Sequence, residues 1–63
     1  MKLRKLRNIV QIEPDAYQCN LEVWEDILEK WNKVSFVAKK EDNSPISQWV
    51  FQEIATGKYK ITT

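Results

Sequence analysis

Histidine is absent from the chain, and cysteine and glycine occur once each. Without an imidazole the sequence lacks the commonest general base and the commonest metal ligand. The lone thiol, Cys19, cannot close an intramolecular disulfide or complete a zinc site, and no His is present to activate it as a nucleophile. It is expected to be a small structural residue. The single glycine, Gly57, excludes a Gly-rich phosphate loop. Two adjacent carboxylate pairs, Glu25 with Asp26 and Glu41 with Asp42, are expected to be solvated surface, because neighbouring residues point apart and nothing buries them. No catalytic constellation is left, so the expectation is a protein that is not an enzyme and needs no cofactor or metal.

Long apolar runs are missing as well. None approaches the roughly 20 residues that span a bilayer, and no apolar signal-peptide region follows the basic N-terminus. Together with the lack of disulfides, this points to the cytoplasm and away from a membrane partner.

What is present is aromatic. Three Trp, two Phe and two Tyr stand among 63 residues, of which 43% are hydrophobic and 30% charged. Those proportions fit a folded chain, and the length fits one small domain whose core depends on a few large side chains. The net charge of +1 selects no partner, but its distribution is uneven. Lys2, Arg4, Lys5 and Arg7 make residues 1–7 a basic N-terminal arm, while Glu22, Glu25, Asp26 and Glu29 make the middle acidic.

Residues 6–13, ending at Pro14-Asp15, predict a short strand. In residues 20–33, Leu21, Trp24, Ile27, Leu28 and Trp31 recur at three- and four-residue spacing, which predicts an amphipathic helix with Asn20 as N-cap and Asp26–Lys30 and Glu29–Lys33 ion pairs along its side. Trp24 and Trp31 are then core. Residues 34–38, VSFVA, predict a strand that runs out into the charged loop 39–44.

Residues 44–57 carry two sets of signals. Ser44 suits an N-cap, Pro45 the first helical position and Gly57 the residue after a helix, with Ile46, Trp49, Val50 and Ile54 as a stripe. Residues 46–54 are equally rich in β-formers and precede a second β-rich run, residues 59–63. The strand at 34–38 needs a partner, and the loop before Ile46 is of hairpin length, so the neighbours favour strand. The expected fold is α+β, one amphipathic helix packed on a small antiparallel sheet in the order β-α-β-β-β. The alternative is a mostly α chain with a helix-turn-helix at 35–56.

That alternative has a family resemblance behind it. Val37-Ala38-Lys39, then Ile46-Ser47-Gln48-Trp49 and Gly57-Lys58, resemble the helix-turn-helix of Cro-type phage repressors, over about a third of the chain. The resemblance implies that Ser47, Gln48 and Gln52 face bases in the major groove.

Two binding functions follow. Aromatics in excess of what one small core hides would anchor a contact with a larger protein, making the chain an inhibitor, accessory subunit or regulator. Alternatively, the chain is a nucleic-acid-binding regulator. Lys2, Arg4, Lys5 and Arg7, joined by Lys39, Lys40, Lys58 and Lys60, would neutralise phosphates, while Trp49, Phe51 and Tyr59 on a sheet face would stack bases. Self-association is a third partner class.

Overall fold

The computed structural model describes residues 2–63. Its elements are β1 (Leu3–Glu13), β2 (Ala16–Glu25), β3 (Lys30–Lys39), α1 (Pro45–Ala55) and β4 (Ile61–Thr62). The four strands form one sheet in the order β3-β2-β1-β4, with β1–β2 and β2–β3 antiparallel and β4 parallel to β1. The α+β class and its inventory of four strands and one helix are as expected. The helix, however, stands between β3 and β4, and the sheet is mixed.

Strand β1 follows a period of three where an ordinary strand has two. Leu3, Leu6 and Ile9 lie on the helix-facing side, while Arg4, Arg7 and Val10 pair with Glu22, Asn20 and Gln18 on the other. The register explains this. Between the Arg4–Glu22 and Arg7–Asn20 pairs, Lys5 and Leu6 together oppose Leu21; between Arg7–Asn20 and Val10–Gln18, Asn8 and Ile9 together oppose Cys19. Each bulge places its first residue in the left-handed region, Lys5 at φ 55° and Asn8 at φ 53°. The extra residue in each interval restores the side on which the next one falls. Repeated bulges thus turn the sequence LRK-LRN-IVQ into an amphipathic strand. Residues Leu3 to Arg7 of the basic arm belong to it, and Met1 lies outside the described residues.

The helix expected at 20–33 is replaced by a hairpin. Residues of β2 and β3 pair one for one from Ala16–Lys39 to Glu25–Lys30, and Asp26 to Glu29 form the turn, with Glu29 at φ 48°. The three- and four-residue spacing arises from three unrelated places. Leu21 points to the core, Ile27 and Leu28 sit in the turn, and Trp24 and Trp31 face each other across the strands. The period that governs burial is two: Tyr17, Cys19, Leu21 and Val23 on β2 meet Ala38, Phe36, Val34 and Asn32 on β3. Asp26–Lys30 and Glu29–Lys33 are not among the ion pairs of the described residues.

The strand expected at 46–54 is helix α1, and its caps show why. The Ser44 hydroxyl accepts from the Ser47 amide (3.2 Å), Pro45 occupies the first turn, and Gly57 follows at φ 76° with its amide donating to the Ile54 carbonyl (3.1 Å). Asp42 braces the start, accepting from the Ser44 amide (3.1 Å) and from the hydroxyls of Ser44 (3.1 Å) and Ser47 (2.8 Å). These bonds satisfy amide donors that a helix start otherwise leaves open. Val50 and Ser47 are fully buried beneath the helix, with Ile46, Trp49, Phe51 and Ile54 packed around the core.

No helix-turn-helix forms at 35–56. Ser35 to Lys39 are paired with Asn20 to Ala16, so the first helix of that motif has no chain to build it. Ser47 is interior and cannot face a base.

The core therefore lies between α1 and one side of the sheet, centred on Leu6, Ile9, Cys19, Leu21, Ala38 and Val50, with Tyr59 and Ile61 closing one end. Every buried side-chain polar atom among the described residues has a hydrogen-bond partner, as a small core requires.

Candidate functional site

With one helix on a four-stranded sheet, the opposite face is left uncovered. Residues directly across neighbouring strands share a side, so the register lays this face out in rows. One row holds Trp24 and Trp31; the next Arg4, Glu22 and Lys33; then Arg7, Asn20 and Ser35; then Val10, Gln18 and Val37. The bulges of β1 are what carry Arg4 and Arg7 into successive rows.

Glu22 organises the basic side chains. Arg4 Nε donates to its Oε1 at 2.8 Å, and Arg7 Nη1 approaches Oε2 at 3.7 Å. The hydrogen bond from Arg4 chiefly holds the Glu22 carboxyl below its ordinary value of 4.5, with the charges of Lys5, Arg4 and Arg7 adding to it and desolvation opposing. Arg4 also lies over the Trp31 ring at 3.9 Å from its centre, and Lys2 Nζ stands 5.9 Å from the Trp24 ring. The two indoles meet edge to face at 5.4 Å. Contacts of these kinds contribute about 0.5–1.5 kcal/mol each and fix the orientation of the groups. Trp24 and Trp31, expected as core, are half-buried members of this face.

At the end of the same face, the β2–β3 turn presents its apolar residues to water. Ile27 is 94% exposed and Leu28 57% exposed. Glu25, Asp26, Glu29 and Lys30 surround them, and Asp26 is tied down by the Trp24 Nε1 hydrogen bond at 2.8 Å. Turn tips are ordinarily built from Gly, Asn, Asp and Ser. An adjacent Ile and Leu there stay largely exposed and take no part in the core.

The other expected site residues are dispersed. Lys5 occupies the first bulge, its carbonyl accepting from Arg7 Nη1 at 3.1 Å. Lys39 borders a recess of about 250 Å³ whose other walls are Glu13, Pro14, Asp15 and Glu41, an acidic setting. The Lys40 amide donates to the Asp15 carbonyl at 2.9 Å. Lys58 and Lys60 are exposed beyond the helix.

Trp49 and Phe51 lie on α1, not on a sheet face. Both pack against the core, and Phe51 meets Tyr17 edge to face at 5.5 Å. Tyr59 donates to Glu53 Oε1 at 2.7 Å, and that bond above all raises its hydroxyl above the ordinary 10.0. Burial raises the Cys19 thiol, whose Sγ donates to the Phe36 carbonyl at 3.6 Å. Neither setting is that of a reactive group.

Ile27, Leu28, Trp24 and Trp31, expected on the buried side of a helix, are at the surface, and Lys33, expected in an ion pair with Glu29, stands across from Glu22. The alternation of Tyr17, Cys19, Leu21 and Val23 is a signal that turns Trp24 outward, with Trp31 and Lys33 following through the register; Ile27 and Leu28 lie in the turn, beyond its reach. Among the described residues, no cluster of three or more His, Cys, Asp or Glu side chains is placed to hold a metal, and no helix is long and apolar enough to cross a membrane. Comparison with protein-family models, with curated proteins and with solved structures finds no match for the chain.

Proposed function

We propose that the protein is a non-enzymatic docking module that inserts the tip of its β2–β3 hairpin into a larger protein, acting as an inhibitor, accessory subunit or regulator. One observation carries this reading: the exposed Ile27-Leu28 pair within an acidic rim. The complementary surface is an apolar notch edged by Lys or Arg. Burying two such side chains supplies about 3–6 kcal/mol, or two to four powers of ten in Kd. The hairpin is a stiff support, because ten successive pairs and the Trp24–Trp31 contact hold its base.

The test is the double variant Ile27→Asp/Leu28→Asp. Both side chains are outside the core, so its melting temperature should stay close to the parent's. Against the partner captured by the parent protein, its affinity should fall by at least a hundredfold. Equal affinity would refute the docking reading.

A second reading, a nucleic-acid-binding regulator, is favoured by the charge of the open face, where Arg4, Arg7 and Lys33 stand against the single carboxylate Glu22 in the two central rows. Binding to random single strands that weakens steeply with salt supports it, and no binding at low salt removes it.

A further inference from the structure

On the open face, a recess of about 210 Å³ is lined by Arg7, Asn20, Lys33 and Ser35 beside Val34. Arg7, Lys33 and the Asn20 NH2 give it more donors than the Ser35 hydroxyl and the Asn20 amide oxygen give it acceptors. The Ser35 hydroxyl donates to Asn20 Oδ1 at 3.0 Å, which occupies one lone pair of the amide oxygen and fixes the side chain, and the two donors of the Asn20 NH2 have no partner among the described residues. Arg7 spends Nη1 on the Lys5 carbonyl (3.1 Å), and this bond anchors the guanidinium while its remaining N–H groups stay available. Lys33 has no carboxylate within ion-pair distance among the described residues.

The charge around the recess is unbalanced. Arg4, Arg7 and Lys33 contribute three positive charges and Glu22 one negative, so the two central rows carry a net +2. Glu22 is committed first to Arg4, at 2.8 Å, and stands at 3.7 Å from Arg7. The flanking rows are apolar or aromatic, Val10 with Val37 on one side and Trp24 with Trp31 on the other. Apolar flanks lower the local dielectric and strengthen the attraction of an anion to the cations between them.

We infer that this recess is a binding site for a phosphate group, delivered either by the backbone of a single-stranded nucleic acid or as free phosphate. A guanidinium, an ammonium and an amide converging from three strands suit a tetrahedral oxyanion, which accepts hydrogen bonds in every direction. The inference deepens the nucleic-acid reading by naming its subsite and is independent of the hairpin tip.

The experiment is a proton–nitrogen NMR titration of the full chain at low salt, once with inorganic phosphate and once with an oligothymidine strand. In each, the Asn20 side-chain amide and the Arg7 Nε–H should shift saturably. Lys33→Ala, an exposed position that leaves the core intact, should weaken binding about tenfold, and Lys58→Ala should leave it unchanged. For the strand, losing one phosphate contact should lower the salt slope by about 0.7.

Tighter binding of the strand than of phosphate assigns the source to nucleic acid, and equal binding assigns it to free phosphate; both uphold the recess. A strand that binds while shifting only residues around Lys58 and Lys60 overturns the recess and leaves nucleic-acid binding standing. Absence of binding by either ligand overturns both.

Discussion

Deleting a residue from an inner strand normally destroys a small sheet, because every side chain beyond the deletion changes sides. The bulges at Lys5 and Asn8 make the opposite outcome the expected one at those two positions. Removing Lys5 leaves Arg4, Leu6 and Arg7 facing Glu22, Leu21 and Asn20 one for one; removing Asn8 leaves Ile9 facing Cys19. Arginines stay on the open face and Leu6 and Ile9 stay in the core. The left-handed conformation that each deletion eliminates costs roughly 1–2 kcal/mol for an ordinary residue such as Lys5 and less for Asn. Loss of the extra twist that a bulge gives a strand works against this gain.

The Lys5 deletion should therefore lie within about 1 kcal/mol of the parent or exceed it. Deleting Asn20 from the regular strand β2 is the control. It would turn Cys19 and Tyr17 out of the core and put Gln18 beneath the helix. At about 1.5–3 kcal/mol for each buried side chain lost and about 1–3 for an unpartnered polar group, the loss consumes the roughly 3–9 kcal/mol expected of a chain this size. Urea denaturation followed by tryptophan fluorescence reads both, with the m-value checking that a cooperative fold survives. A Lys5 deletion as disruptive as the Asn20 deletion would refute the reading of β1.

Gly57→Ala should destabilise by about 1 kcal/mol in a thermal melt, through backbone strain alone, since φ is 76° and an added Cβ meets nothing within 4 Å. The folded-state pKa of Glu22 lies below its ordinary 4.5, so its contribution is present above that value and is lost as pH falls through the lowered one. Glu22→Gln should flatten the acid limb of a stability-against-pH profile, and an unchanged limb would contradict the ion pairs of Glu22 with Arg4 and Arg7. Tyr59 is shifted the other way: its contribution is complete below 10.0 and is lost as pH rises through the elevated folded value. Tyr59→Phe should remove that alkaline loss, as measured by denaturation between neutral and high pH.

The legible parts of this fold were those where local chemistry decides. The strands near 6–13 and 34–38 announced themselves by β-branched residues and the Pro14-Asp15 turn. All three cap signals of α1, at Ser44, Pro45 and Gly57, are realised. Residues 46–54 are less legible because their β-formers invite a pairing that tertiary structure supplies elsewhere. A helix at 20–33 leaves the strand at 34–38 without a partner, and residues 46–54 are then the nearest segment able to supply one. Its true partner, β2, was hidden inside that apparent helix. The open face was illegible for a different reason, because Arg4 and Arg7 reach the same side of the sheet only through bulges at Lys5 and Asn8, and nothing in KLRKLR requires a lysine to adopt a positive φ.

The first strand in the chain is an inner strand of the sheet, and its second neighbour, Ile61–Thr62, comes from the other end of the sequence. Two local hairpins can assemble before that neighbour arrives, and during this interval the stretch around Ile9 and Val10 offers its main-chain donors and acceptors to any other extended polypeptide. The closing two-residue strand thus acts as a guard whose late arrival sets the period of exposure to mispairing.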